Sequence, residues 1–186
     1  MQQPLRPAQD GALPPAHGVL DRASLHRLLA SNPPLVEHLL DLDEQLQTNG
    51  IDLTLRSVAS FGSLGKMGTS AEERVLPTTV ELEFDSDGYL HLAPGPYLVT
   101  LNEVVHIPPE LTALAWPRSS LLRSGVLLHN AVWDAGYEGR SQCLMTVVNP
   151  HGFQIARNSR ILQLVFFTLV QPVTEGYQGK YQRENL

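Results

Sequence analysis

Cysteine is almost missing from this 186-residue chain: Cys143 is the only one. One cysteine cannot build a disulfide framework or a thiolate zinc site, and such scarcity fits a chain kept in a reducing, cytoplasmic compartment. No uninterrupted apolar run approaches the roughly 18 residues of a membrane-spanning helix. The opening stretch, MQQPLRPAQDGALPPAHG, has no apolar centre of the kind a secretory signal carries. Basic residues are outnumbered 13 to 19, for a net charge of −6, which removes the electrostatic basis for holding a nucleic acid polymer. A small anion is not excluded, because it needs only a few local donors. The seven histidines show no HxH or HExxH spacing, so no metal held by the protein itself is expected. Residues 62–68, GSLGKMG, lack the spacing and the final hydroxyl residue of a phosphate-binding loop, and read as a flexible hairpin loop.

What is present divides the chain into four parts. Residues 1–19 are rich in Pro, Gly, Gln and Ala and read as a mobile tail. Residues 20–48 read as a helical extension: Asp21 caps a helix carrying Leu25, Leu28 and Leu29, and Asn32-Pro33-Pro34 stops it. Leu35, Leu39, Leu42 and Leu46 predict a second helix ending near Asn49-Gly50. From Ile51 the texture changes. Residues 51–55 alternate like a half-buried strand, and 97–101, 112–116, 126–128, 144–148 and 161–169 are short runs of β-formers. Asp87-Gly88, Pro94-Gly95-Pro96, Pro108-Pro109, Asn149-Pro150 and His151-Gly152 punctuate them as turns. The expectation is a mainly β domain over 49–175, a sandwich, jelly roll or barrel behind short N-terminal helices. A polar, glycine-containing segment, 176–186, follows.

Two places in this domain carry candidate chemistry. At Arg118-Ser119-Ser120, Pro117 ends a strand and Ser119 can cap a one-turn helix that Gly125 terminates. A guanidinium, two hydroxyls and outward amides make an anion cradle; locally they make an ordinary capped turn with a solvated arginine equally well. Asp134 ends the apolar run Ala131-Val132-Trp133 and precedes the turn Ala135-Gly136-Tyr137. Taken alone, an aspartate there bonds its own backbone amides.

The order of five segments says more. They are Asn49-Gly50-Ile51-Asp52-Leu53, Pro117-Arg118-Ser119-Ser120-Leu121-Leu122-Arg123, Asp134-Ala135-Gly136-Tyr137-Glu138-Gly139-Arg140, Arg160-Ile161-Leu162-Gln163-Leu164-Val165 and Gly176-Tyr177-Gln178-Gly179-Lys180-Tyr181-Gln182. In this order the chain resembles the dUTPase and dCTP deaminase superfamily, and within it the archaeal-type dUTPases. The resemblance implies a distorted β jelly roll, the dUTPase-like β-clip, assembled as a homotrimer with active sites between subunits. It implies hydrolysis of dUTP to dUMP and pyrophosphate. By the same resemblance Arg118, Ser119, Ser120, Gln163 and Lys180 bind phosphate, and Asp134 activates the attacking water. Asn130, Ala131, Gly136 and Tyr137 surround sugar and base, with Tyr137 leaving no room for a 2′-hydroxyl. Tyr177, Tyr181 and Gln182 close over the nucleotide. Mg2+ is implied as cofactor, held mainly by phosphates and water.

A dCTP deaminase, alone or combined with the hydrolase, is the nearest alternative. Deamination needs a proton-shuttling carboxylate, which the family places three residues before a strand-ending asparagine; counted back from Asn149 that position is Thr146. The strand 143–148 holds no carboxylate at all, and threonine cannot take its place. A non-catalytic deoxynucleotide sensor of the same fold is a further alternative, opposed by the presence of Asp134 together with the full Arg-Ser-Ser segment.

Overall fold

The computed structural model describes residues 18–186; residues 1–17, most of the expected tail, lie outside the described residues. Gly18 and Leu20 are already tied into the domain, through Thr168 N to Gly18 O (3.1 Å) and Leu20 N to Phe166 O (3.0 Å). Asp21 then caps α1 (Arg22–Leu29), its carboxylate accepting from Ser24 N at 2.7 Å. This satisfies one of the amides a helix start leaves unpaired. Leu25 is fully buried beneath the helix.

The second helix is not as predicted. Residues 36–37 form a short strand, β1 (Val36–Glu37), and only α2 (Leu42–Gln45) is helical. Val36 pairs with Val105 and is buried with Leu35, while His38 sits in the left-handed region at φ 62°. Pairing and burial of the β-branched valine outweigh the helical spacing of the leucines.

The remaining elements are β2 (Ile51–Phe61), β3 (Thr79–Glu81), β4 (Tyr89–Leu92), β5 (Gly95–Leu101), β6 (Val104–His106), β7 (Leu111–Pro117), α3 (Ser119–Arg123), β8 (Val126–His129), β9 (Glu138–Gly139), β10 (Gln142–Val147), β11 (Phe153–Ala156) and β12 (Arg160–Thr168). The main sheet runs β7-β12-β2-β5-β10-β8, with β3 beside β2; β1-β6-β9 and β11-β4 form smaller sheets. The fold is mainly β, as expected, with a nearly closed main sheet. No helix among the described residues is long and apolar enough to cross a membrane.

Strand β2 departs from its alternating pattern. Ile51, Leu53 and Leu55 face the core, but Asp52 and Thr54 on the other face are buried too. What covers them is polar. Glu103, fully buried, accepts from Gln45 Nε2 (2.7 Å), Thr54 N (2.9 Å) and Thr54 Oγ1 (2.6 Å). Gln45 Nε2 also donates to Asp52 O at 2.8 Å. The N-terminal extension is thereby stitched to the centre of the sheet by bonds that satisfy a buried carboxyl. Burial still pushes the Glu103 pKa above the ordinary carboxylate range, with the bonds from Thr54 and Gln45 opposing. Around this seam the apolar core is continuous; Leu162, Leu164 and Phe166 of β12 are fully buried, worth about 1.5–3 kcal/mol each relative to exposure.

Candidate active site

Strand β7 joins two clusters of candidate site residues, one at each end. At its C-terminal end the β7–β12 pairing continues past Pro117, with Arg118 N donating to Ile161 O at 3.0 Å. Arg118 is extended (φ −64°, ψ 145°) and itself occupies the cap position of α3, without a side-chain cap bond. The expected capping role of Ser119 is therefore not observed. The cap falls one residue earlier because strand pairing holds Arg118 extended. Ser119 and Ser120 enter the first turn exposed, and among the described residues neither hydroxyl has a partner.

The Arg118 side chain is held from behind. Its Nε lies 3.3 Å from Asp52 Oδ2, and Arg160 Nη1 lies 3.6 Å from the same oxygen. Arg160 also pairs with Glu44 at 2.8 Å, linking α2 to the corner. Burial pushes the Asp52 carboxyl up, and the two guanidiniums pull it back. With Nε engaged, the terminal nitrogens of Arg118 remain for a ligand; its side chain is 35% exposed. A cleft of about 340 Å³ opens here, lined by Arg118, Ser120, Arg160, Tyr89 and Gln154 among others. Gln163 lies opposite Asp52 on one side and Trp116 on the other. It stands on the face that carries Asp52 without lining this cleft, and Ser119 does not line it either.

At the other end of β7, Ala113 and Trp133 exchange backbone bonds of 2.9 and 3.0 Å, and Thr112 Oγ1 adds a bond of 3.0 Å to Trp133 O. The turn that follows is pinned by Tyr137 N to Asp134 O (3.1 Å) and Gly136 N to Ile107 O (2.8 Å). Gly136 has φ +84°, a conformation that favours glycine. Asp134 is exposed on this turn. It lines a cleft of about 260 Å³ with Ala131, Tyr137, Tyr177, Tyr181 and Glu184 among others. Tyr137 is 7% exposed, its hydroxyl 2.9 Å from Ser141 Oγ and 2.8 Å from Glu184 Oε1. Burial drives the Tyr137 pKa far up and raises that of Glu184, the bond from Tyr137 opposing the latter. Asn130 spends its amide on Ala131 O at 3.1 Å, and neither it nor Gly136 lines this cleft.

The C-terminal segment packs on the turn of its own chain. Tyr177 N donates to Ala135 O (2.8 Å), and Gln182 Nε2 to Gly136 O (2.8 Å). Glu138 N donates to Gln182 Oε1 (3.0 Å), and Arg140 N to Glu184 O (3.0 Å). The Tyr177 ring meets Tyr137 edge-on, centroids 5.8 Å apart. Tyr177 and Tyr181 thus line the Asp134 cleft, while Gln182 bonds the turn without lining it; Lys180 is exposed and lines neither cleft.

Within one chain the two ends do not meet. Their clefts share no lining residue. Ala113, beside Trp133, and Arg118 are five strand residues apart, about 16 Å at strand rise. Sequence reasoning had assigned no role to Asp52, Ser141 or Glu184. Asp52 carried a signal, a charge inside a strand pattern; the other two carried none.

The dCTP deaminase-like family model matches residues 19–169, a span that includes β2, the Arg118 corner and the Asp134 turn. The chain belongs to the dCTP deaminase-like family. Among relatives, the "Probable deoxyuridine 5'-triphosphate nucleotidohydrolase" of Methanococcoides burtonii is 46% identical over 168 residues, covering 90% of this chain and 99% of that protein. Its namesake from Archaeoglobus fulgidus is 43% identical over 160 residues, covering 86% and 94%. Of solved structures, the 2'-deoxycytidine 5'-triphosphate deaminase from Agrobacterium tumefaciens superposes with a TM-score of 0.63 at 27% identity. It covers 82% of this chain, which spans 48% of that deaminase. The likeness to a deaminase makes β10 informative for this family member. Cys143, Met145 and Val147 point into the core, only Gln142 reaches the Asp134 cleft, and the strand brings no carboxylate to it. Among the described residues the carboxylates lining that cleft are Asp134 and Glu184.

Proposed function

We propose that this protein hydrolyses dUTP to dUMP and pyrophosphate. One observation supports this reading above the others: an exposed carboxylate on a rigid turn coexists with a guanidinium-and-hydroxyl corner, while β10 lacks the carboxylate a deaminase requires. Asp134 accepts a proton from a water molecule as that water's oxygen attacks the α-phosphorus. The bond from the α-phosphorus to the bridging oxygen breaks, and pyrophosphate leaves in line. A positioned base of this kind contributes about 10²–10⁴-fold. Arg118, Ser119 and Ser120, with Gln163 and Lys180, bind phosphate oxygens and offset the charge developing on the leaving group. Asn130, Ala131 and Gly136 surround base and sugar, and Tyr137 walls the sugar so that a 2′-hydroxyl is rejected sterically. Tyr177, Tyr181 and Gln182 close the site and exclude bulk water.

Since the clefts of Asp134 and Arg118 are separate in one chain, the site is completed by a second copy, in a homotrimer whose heterologous contacts close into a ring. Mg2+ fits the residues present in one respect: Asp134 offers an exposed carboxylate oxygen, the hard ligand this ion takes. The ion would be held through the triphosphate and water, with at most a carboxylate from the protein, and would supply neutralisation of phosphate charge.

Product analysis tests the reading. Purified protein is incubated with dUTP and with dCTP, and pyrophosphate and ammonia are assayed. Pyrophosphate from dUTP without ammonia from dCTP is expected. Ammonia from dCTP would restore the deaminase, and binding with neither product would leave a sensor.

A further inference from the structure

Beneath the Asp134 cleft four side chains form a line that the reading above does not use. Trp133 Nε1 lies 2.7 Å from Ser141 Oγ, Ser141 Oγ lies 2.9 Å from the Tyr137 hydroxyl, and that hydroxyl lies 2.8 Å from Glu184 Oε1. The direction of every bond follows from chemistry. An indole N–H only donates, and a carboxylate only accepts. Tyr137 therefore gives its single proton to Glu184, Ser141 gives its proton to Tyr137, and Trp133 donates to Ser141. Trp133, Tyr137 and Ser141 are 4%, 7% and 5% exposed, so the line is shielded from water along most of its length, where hydrogen bonds reinforce one another. Its two aromatic members flank Asp134 in sequence and line the same cleft. Its acceptor comes from the far end of the chain, on the segment that docks against residues 135–140.

We infer that Glu184 is a positioning residue for the proposed dUTP hydrolysis: it terminates an oriented hydrogen-bond line that locks the Tyr137 ring, and with it the selection of deoxyribose over ribose, when the C-terminal segment is docked. The C-terminal segment thus does more than cover the cleft. Without Glu184 the bond that draws the Tyr137 hydroxyl toward the C-terminal segment is lost, and that hydroxyl can only turn back to the second lone pair of Ser141 Oγ, reversing the bond between them. The ring then has freedom to move aside for a 2′-hydroxyl. The inference rests on the hydrolase reading for its selectivity consequence, and on geometry alone for the hydrogen-bond line.

The test uses the full-length protein and four variants: Glu184→Ala, Glu184→Gln, Tyr137→Phe and the Tyr137→Phe/Glu184→Ala double variant. One readout is kcat/KM for dUTP relative to UTP. The other is Trp133 emission in a Trp116→Phe background, taken without nucleotide. Glu184→Ala should narrow the dUTP preference by about tenfold, the scale of one hydrogen bond to a charged acceptor, and shift Trp133 emission to the red. Glu184→Gln, which retains an acceptor oxygen, should restore both. Tyr137→Phe should match Glu184→Ala, and the double variant should be no worse than either, the mark of two groups acting through one bond. Wild-type selectivity and emission in Glu184→Ala, or additive losses in the double variant, would overturn the inference; so would an Ala variant too unstable to assay combined with an unaffected Tyr137→Phe. Should the wild-type protein leave dUTP intact, the hydrolase reading fails by itself, and the emission series still decides whether the line exists.

Discussion

Replacing Gly136 by alanine separates two costs that the structure places on one atom. A β-carbon there would stand 2.6 Å from Gly176 Cα and 2.9 Å from Tyr177 N, inside the 3.4 Å at which ordinary contact begins. Both obstacles are backbone, so rotation of a side chain cannot relieve them. The turn is anchored to Ile107, and the C-terminal segment must retreat instead. Retreat gives up the Tyr177 N–Ala135 O and Gln182 Nε2–Gly136 O bonds, about 1–3 kcal/mol together at 0.5–1.5 each. The left-handed backbone at φ +84° adds a separate penalty of about 1–2 kcal/mol for any β-carbon. Gly88 supplies the control: its φ is +80°, and an added β-carbon meets nothing within 4 Å. Gly88→Ala should lower Tm by about 2–8 °C, at 2–4 °C per kcal/mol for a chain of this size, and leave KM for dUTP unchanged. Gly136→Ala should lower Tm further, raise KM by about 5- to 150-fold as 1–3 kcal/mol of docking is lost, and speed tryptic cleavage after Lys180. Wild-type KM and wild-type cleavage in Gly136→Ala would show that the docked segment plays no part in holding substrate.

Three further outcomes follow from the geometry. Asp134→Asn should bind dUTP within about tenfold of wild type yet turn it over at least about 10²-fold more slowly, as loss of a general base requires; stopped-flow binding with steady-state kinetics checks the split. Asp52→Asn should raise KM for dUTP by about tenfold by releasing Arg118. Its stability cost should be small, because the partnered guanidiniums are partly solvated; comparable kcat/KM in the variant would contradict the positioning. Glu103 sets a pH dependence. Its folded pKa is raised by burial, so the folded chain binds the proton more tightly than the unfolded one. The resulting stability is complete below the unfolded value, about 4.3, and is lost as pH rises through the folded value. Urea midpoints between pH 4 and 7 should therefore fall less steeply for Glu103→Gln than for wild type, and parallel slopes would count against it.

The parts of this molecule readable from sequence are those set by local chemistry. The Asp21 cap, the strands through Tyr97, Ala113, Met145 and Phe166, and the turn at Asp134 follow from patterns within a few residues. Where a distant partner decides the outcome, local reading fails. Leu35 to Leu46 spell a helix until Val105 claims Val36. Asp52 and Thr54 look solvent-facing until Glu103 and the two arginines cover them. Ser119 looks like a cap until Ile161 holds Arg118 extended. Ser141 and Glu184 sit in unremarkable contexts, 43 residues apart in number, and only the docked C-terminal segment makes them one network. The order of five motifs carried the family reading because it sums over many such distant contacts at once.

Subunit complementation tests the central claim most directly. Asp134→Asn and Arg118→Ala proteins, each inactive toward dUTP, are mixed in equal amounts, unfolded and refolded together, and assayed for pyrophosphate. If the acid of one chain serves the phosphate corner of another, about a quarter of the sites in randomly mixed rings pair an intact Asp134 with an intact Arg118. Activity should return to about that fraction of wild type. Mixed assemblies as inactive as their parents would contradict the shared site.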